Sequence, residues 1–273
     1  MSLPLSSGKT MTFDQLIQDW LSAKGASSVP EGWTQGRATF GGLVAAMLYE
    51  QMASELPSDS SLRSFTTSFV GPVAPGAINT CADVLRAGRS VTQVQGHLDQ
   101  DGAVMLAGLA SFGRGRESSV LAKGPSAPDY PTPDKCLPLP YIEGVVPEFT
   151  QKFDYRIACG GLPFSGAKER VLGGWVRFKD GSEGRTGISH LLALIDAWPP
   201  ATLPMMKEPA PASSLTWTVE FMEPLPECTA SDWWQYEAEV EQAEDGYAVI
   251  QARLWDADGH LTALSRQMVT IFG

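Results

Sequence analysis

Residues 64–69 read Ser-Phe-Thr-Thr-Ser-Phe, residues 216–221 read Thr-Trp-Thr-Val-Glu-Phe, and a proline follows each stretch at the same distance, at positions 72 and 224. In both stretches large apolar side chains alternate with polar ones. A period of two is typical of a β-strand that buries one face and leaves the other polar. The match between the two stretches indicates that the chain repeats itself in two halves.

The repeat continues downstream of both stretches. Two further pairs of strands are predicted, at residues 90–95 and 246–251 and at residues 103–112 and 260–272. Within each half an Asp-Gly pair, at 101–102 or at 258–259, separates the two strands. This dipeptide between apolar-rich runs predicts a tight β-hairpin.

Upstream of the first strand, each half carries a run of residues typical of a buried helix. Residues 42–49 and 188–198 have the apolar density of helices that pack on a sheet. The prolines at 199–200 end the second helix, because proline cannot continue the helical hydrogen-bond ladder. A separate amphipathic helix is predicted near residues 13–23, with Thr12 as its cap.

These elements predict an α+β protein of two tandem repeats, each with a long helix lying on a curled antiparallel sheet. We expect the N-terminal repeat, with its leading helix, at residues 1–113 and the C-terminal repeat at residues 150–273. Residues 114–149 contain seven prolines. That composition predicts an extended connector along the surface.

The composition excludes several classes of protein. A formal net charge of −11 argues against a broad nucleic-acid surface, which needs clustered Lys and Arg. No stretch approaches the roughly 18 apolar residues that span a bilayer, and residues 1–13 lack the apolar core of a secretory signal. We therefore expect a cytoplasmic protein that binds neither nucleic acid nor membranes.

Metal and cofactor sites are not predicted either. The four cysteines are scattered without CxxC spacing, and the chain has only three histidines. The sequence also lacks a GxSxG elbow, a Walker loop and a GxGxxG motif after a strand. Buried free thiols in a reducing compartment are the expectation for the cysteines.

A helix lying across a curled antiparallel sheet is the hotdog arrangement, and two in tandem make a double hotdog. Several motifs resemble the acyl-CoA thioesterase II family, which has this fold. In the first half these are Gln-Gly-Arg-Ala-Thr-Phe-Gly-Gly at 35–42, Leu-Arg-Ser-Phe at 62–65 and Arg-Ala-Gly-Arg-Ser at 86–90. In the second half they are Asp196, Ser-Ser-Leu-Thr at 213–216 and Gln267. The resemblance extends from about Trp33 to the end of the chain.

The resemblance implies a hydrolase of lipid metabolism that acts on acyl-CoA thioesters without a cofactor. The family is known for an Asp, a Thr and a Gln that position a water against the thioester. Asp196 matches the Asp, and Gln267 matches the Gln. Ser214 occupies the position of the Thr, and Thr216, two residues further on, is the alternative hydroxyl.

The chemistry of thioester hydrolysis fits these residue types. An enzyme must supply an oriented water, a base beside it and donors for the developing oxyanion. Asp196 lies in an apolar run, where burial would raise its pKa towards the range of a useful base. The backbone N–H groups near Gly41 and Gly42 are candidate oxyanion donors at the positive end of a helix dipole, and we assign Phe40 with them to substrate binding.

Each of these residues also has a structural alternative. Asp196 and Gln267 could satisfy polar groups in the core, and the two glycines could serve only close helix–sheet packing. Strand alternation poses a further conflict. Ser214 and Thr216 point away from the face that carries Trp217, unless a bulge re-aims one of them.

Two other functions remain open for the same fold. A hotdog dehydratase or hydratase uses an Asp with a His, and His190 lies six residues before Asp196, off the spacing that shares a helix face. A non-catalytic protein that binds acyl-CoA or acyl chains would keep the fold without catalysing hydrolysis. In all three cases we expect a homodimer, because an open sheet edge or face commonly drives association.

Overall fold

The computed structural model describes residues 11–24, 26–57, 59–180 and 184–272. Residues 1–10, which carry most of the segment compared with a secretory signal, lie outside the described residues. The helices are α1 Phe13–Ser22, α2 Gly41–Ser54 and α3 Ile188–Asp196. The strands are β1 Ala26–Val29, β2 Thr34–Gln35, β3 Ala38–Thr39, β4 Ser61–Phe69, β5 Gly76–Ala87, β6 Val91–Gln100, β7 Ala103–Gly113, β8 Leu137–Pro138, β9 Phe153–Cys159, β10 Val171–Phe178, β11 Ala212–Phe221, β12 Trp234–Glu244, β13 Tyr247–Trp255 and β14 Leu261–Ile271.

Twelve of the strands form one antiparallel sheet that runs through both halves, and β2 and β3 pair separately. The strand order in the large sheet is β1-β5-β6-β7-β4-β11-β14-β13-β12-β10-β9-β8. Helices α2 and α3 pack on each other against the inner face of this sheet. This is the double hotdog fold that the sequence predicts. No helix in the described part of the chain is both long enough and apolar enough to cross a membrane.

The two halves meet at the pairing of β4 with β11, the two stretches in which the sequence repeat is clearest. Thr66 pairs directly with Thr218, and their hydroxyl oxygens lie 3.0 Å apart. Phe65 pairs with Val219, and Thr67 pairs with Trp217. Thr66 faces its own counterpart, and the pairs on either side of it are exchanged when the two repeats are exchanged. The repeats are therefore related by an approximate twofold axis through the Thr66–Thr218 pair.

Both central strands contain a bulge at the same place in the repeat. The register of β4 against β7 shifts between Leu62 and Ser64, and the register of β11 against β14 shifts between Ser214 and Thr216. A bulge puts two residues opposite one and reverses the facing of every residue beyond it. The bulge in β11 therefore decides which hydroxyl faces the helices.

Helix α2 is apolar on nearly all sides because it is covered on nearly all sides. Its residues from Gly42 to Leu48 are buried between the sheet, α1 and α3. Two strand glycines let it approach the sheet closely. The methyl carbons of Leu48 lie 3.1 Å and 3.2 Å from the points where a Cβ would stand on Gly96 and Gly108.

The proline-rich segment after β7 crosses the outer face of the second-half sheet. The indole N–H groups of Trp255 and Trp175 donate to the carbonyls of Pro125 and Pro131, each at 2.9 Å. The side-chain amide of Gln235 donates to the carbonyl of Pro128 at 2.5 Å. Tryptophan and glutamine side chains of the sheet thus hold a segment that has few regular backbone hydrogen bonds of its own.

Leu48→Ala should lower the free energy of unfolding by about 2–5 kcal/mol, since it leaves a cavity above Gly96 and Gly108 that side chains cannot fill. Leu85→Ala is the matched control, because Leu85 is 53% exposed, and it should change stability by no more than about 0.5 kcal/mol. Urea unfolding of the two variants measures the difference. Equal losses would contradict the close packing of α2 on the two glycines.

Candidate active site

Asp196 and Gln267 meet, as the hypothesis for the site requires. Asp196 is the last residue of α3, and Gln267 belongs to β14. The Nε2 atom of Gln267 donates to Oδ1 of Asp196 at 3.0 Å. The carbonyl of Ala197, directly after the carboxylate, accepts a hydrogen bond from the Tyr155 hydroxyl at 3.0 Å, so the end of α3 is fixed from β9 as well.

The carboxylate of Asp196 lies against the start of α2 in the other repeat. Its Oδ2 atom is 2.8 Å from the point where a Cβ would stand on Gly41, so any larger residue there would displace the carboxylate. A Cβ on Gly42 would lie 3.0 Å from the Cα of Ala193 in α3, where the two helices come closest. The predicted glycines therefore allow both the approach of the helices and the approach of the carboxylate.

The start of α2 is suited to a negative partner. Phe40 is its N-cap residue, and its apolar side chain cannot accept a hydrogen bond from the first backbone N–H groups. Such groups carry the positive end of the helix dipole. The backbone N–H of Gly42 interacts with the Asp196 carboxylate directly.

The environment raises the pKa of Asp196 to about 7. Burial among apolar groups is the main cause, because it disfavours the charged form. The hydrogen bonds from Gln267 and from the Gly42 backbone oppose it and lower the pKa. A carboxyl group that titrates near neutral pH can take up and release a proton under physiological conditions.

Of the two candidate hydroxyls, the structure places Ser214 on the face of Gln267 and Thr216 on the opposite face. Gln267 pairs with Trp217, and Val269, two residues on and so on the same face, pairs with Ser214. Directly opposed residues of an antiparallel pair point to the same side. Thr216 pairs with Met268 and is exposed on the outer face. Thr216 therefore lies on the face opposite Gln267, because the bulge turns Ser214 inwards instead, and the catalytic role of either hydroxyl stays a prediction.

Phe40 does not line an open part of the site. Its ring is fully buried and stacks on Phe149 at a centroid distance of 4.2 Å, with Phe153 at 5.8 Å. In this structure the Phe40 side chain packs in the core, and its assignment to substrate binding stays a prediction. The ring supports Gly42, whose Cβ position it contacts.

Sequence reasoning missed three aromatic residues beside the carboxylate. Burial is the main cause that raises the pKa values of the phenols Tyr155 and Tyr236, and the charge of Asp196 raises both pKa values further. The ring of Phe69 lies 3.2 Å from the Cβ position of Gly41. The sequence did contain a signal for Phe69, because the repeat matches it with Phe221 at a fixed offset. No motif points to the two tyrosines.

The site is not sealed from solvent. Gly41, Phe69, Asp196, Ser214 and Gln267 are each partly accessible, although they lie among buried residues. Across the described residues there is no group of three or more His, Cys, Asp and Glu side chains that could hold a metal ion.

His190 takes part in a different contact. It lies near the start of α3, where its Nδ1 accepts from the Gly187 backbone N–H at 3.2 Å. Its Nε2 is 2.5 Å from Oδ1 of Asp14 in α1. Both ring nitrogens are thus occupied at the far end of the helix from Asp196. This arrangement argues against an Asp–His dehydratase.

The fold and the site together define a double hotdog protein with a carboxylate–amide pair at the junction of its two repeats. Residues 29–113 match the acyl-CoA thioesterase N-terminal domain, and residues 133–271 match the acyl-CoA thioesterase C-terminal domain. The chain belongs to the acyl-CoA thioesterase family. No protein with curated annotation matches it in sequence.

Solved structures share the fold over most of the chain. A conserved protein of unknown function with a hot dog fold from Alicyclobacillus acidocaldarius is 23% identical, with a TM-score of 0.80 over 91% of this chain and 92% of that one. The acyl-CoA thioesterase II TesB2 from Mycobacterium marinum is 20% identical, with a TM-score of 0.69 over 85% and 89%. The tesB protein of Mycobacterium avium subs. paratuberculosis is 15% identical, with a TM-score of 0.72 over 94% and 100%.

The raised pKa of Asp196 predicts a pH dependence of stability. Between the ordinary Asp pKa of 3.8 and about 7, the folded protein holds a proton that the unfolded chain has released. The contribution of the Asp196 carboxyl to the free energy of unfolding is therefore largest below about pH 4. It falls as the pH rises to about 7 and stays level above that pH. At 1.36 kcal/mol per pKa unit, the difference in unfolding free energy between wild type and Asp196→Asn should fall by up to about 4 kcal/mol over this range. Denaturant unfolding from pH 4 to pH 8 measures it, and a constant difference would show a normal carboxyl group.

Proposed function

We propose that the chain hydrolyses acyl-CoA thioesters, with Asp196 as the general base. The observation that carries the proposal is the Asp196–Gln267 hydrogen bond at the start of α2. It brings a carboxyl group of raised pKa, an amide and a row of backbone donors into one partly accessible place. Membership of the acyl-CoA thioesterase family supports the choice of substrate class.

The water is held between polar groups on the inner sheet face and the carboxylate. The Nε2 group of Gln267 donates to Asp196, which leaves the amide oxygen to accept from the water. The Ser214 hydroxyl, on the same face as Gln267, can donate to or accept from the water. As the water attacks the carbonyl carbon, Asp196 takes its proton.

The oxyanion that forms accepts a hydrogen bond from the backbone N–H of Gly41, where the helix dipole also stabilises it, whereas the N–H of Gly42 is engaged by Asp196. When the tetrahedral intermediate collapses, the carbon–sulfur bond breaks and CoA leaves as a thiolate. An ordinary thiol has a pKa near 8.5, so this departure needs little acid catalysis. The proton on Asp196 goes to the leaving sulfur or to solvent, and the products are a carboxylic acid and CoA.

Asp196→Asn should abolish most of the hydrolysis of acyl-CoAs, by about 10²-fold or more, since the amide cannot take a proton. In the wild type, kcat/KM should rise with pH through the Asp196 pKa of about 7 and level off above it, because the base acts only when deprotonated. Thiol release from a panel of acyl-CoAs, followed with a thiol reagent, measures both. A wild type that cleaves none of the panel would contradict the proposal and favour an acyl-binding protein.

The bulge in β11 provides a matched pair of variants. Ser214→Ala should lower kcat about ten-fold, because it removes one of the groups that hold the water. Thr216→Ala removes a hydroxyl from the outer face of the same strand and should leave kcat unchanged. The opposite order of effects, measured with the same assay, would place the functional hydroxyl at Thr216 and contradict the role of the bulge.

A further inference from the structure

A second carboxyl group joins α2 to α3 at the other end of the helix pair. Glu50 lies late in α2, as Asp196 lies late in α3. It accepts a hydrogen bond from the hydroxyl of Ser189, at the start of α3, as Asp196 interacts with Gly42 at the start of α2. The two helices are therefore joined at both ends, by a side-chain hydrogen bond at one end and by a contact of a carboxylate with the backbone at the other.

The strand positions of the first half that correspond to Gln267 and Ser214 carry apolar residues. Gln267 lies opposite Trp217 in the second half, and Ala110 lies opposite the matching Phe65 in the first half. Ser214, before its bulge, has Leu62 as its counterpart. The first half thus has a carboxyl group but neither the amide nor the hydroxyl, so it lacks the groups that would hold a water.

Glu50 instead acts on the start of α3. Ser189 is buried, so its hydroxyl needs a partner, and Glu50 provides it. The neighbouring residue His190 accepts from the Gly187 backbone and contacts Asp14 of α1. Burial raises the pKa of Glu50, while the Ser189 hydrogen bond and the nearby His190 lower it.

Because α3 is short, a displacement of the helix at the Glu50–Ser189 contact also displaces its other end, at the active site. The helix has nine residues, so Ser189 and Asp196 lie about 10 Å apart along its axis at 1.5 Å per residue. A hydrogen-bonded helix of this length moves as a unit. A shift of α3 at Ser189 is therefore a shift of the Asp196 carboxylate relative to Gly41 and Gly42.

We propose that Glu50 is a positioning residue: its bond to Ser189 sets where α3 lies along α2, and so places Asp196 against Gly41 and Gly42. Glu50 does not take part in the chemical step. The effect on turnover rests on the proposed thioesterase activity, whereas the effect on the Asp196 environment does not.

Glu50→Ala and Glu50→Gln separate positioning from catalysis. The glutamine oxygen still accepts from Ser189, so Glu50→Gln should keep kcat within about two-fold of the wild type, while Glu50→Ala should lower kcat about ten-fold or more with little change in KM. Glu55→Ala, at an exposed position just after α2, is the control and should have no effect. An equal loss in Glu50→Ala and Glu50→Gln, with about half of the activity left in Asp196→Asn, would show a second catalytic base and overturn the proposal.

A readout without turnover completes the test. Carbon-13 NMR titration follows the Asp196 carboxyl, assigned by its disappearance in Asp196→Asn. Glu50→Ala should raise its pKa above about 7, because it weakens the Gly42 contact that lowers the pKa, and Glu50→Gln should leave the pKa in place. If the wild type cleaves no acyl-CoA, the proposed function fails and this titration still decides the positioning role. If Glu50→Ala does not fold, Ser189→Ala removes the same bond and should shift the pKa in the same direction; an unchanged pKa in the folded variant would overturn the proposal.

Discussion

The contact between a carboxylate at the end of one helix and the first turn of the other underlies the arrangement of this protein. An isolated charge among apolar side chains is strongly unfavourable, and the group keeps its position only where donors compensate it. Here the donors come from two separate parts of the fold, the Gly42 backbone and the Gln267 side chain. Helix crossing, strand register and the identity of Gly41 must therefore all agree before the carboxyl group can be accommodated.

Much of the fold could be predicted because its determinants are local. Alternation identifies β4 and β11, and apolar density identifies α2 and α3. The Asp-Gly pair at 101–102 forms a turn in which both residues have positive φ, at 52° and 79°, as the dipeptide predicts. Asp196 and Gln267 were identified only through family resemblance, and nothing in their spacing shows that they meet.

What the sequence-based predictions missed has one physical origin, which is contact between distant parts of the chain. A prediction from the alternation of polar and apolar residues assumes a strand without a bulge. It therefore could not show that Ser214 rather than Thr216 turns inwards. Phe40 was assigned by its position beside the glycines, but its partner Phe149 lies more than a hundred residues away. Tyr155 and Tyr236 approach Asp196 from strands with no motif. The Glu50–Ser189 bond likewise joins residues of different repeats.

The segment between β7 and β9 has a consequence for how the two repeats have diverged. Because it links them covalently, each half meets the other at a local concentration that does not fall when the protein is diluted. In an assembly of two identical chains, every substitution would occur twice and would act on both sides of the axis. Within a single fused chain, Ala110 and Gln267 can differ while the Thr66–Thr218 pair holds the halves together. Fusion thus releases one side of a symmetric dimer from the constraints that act on the other.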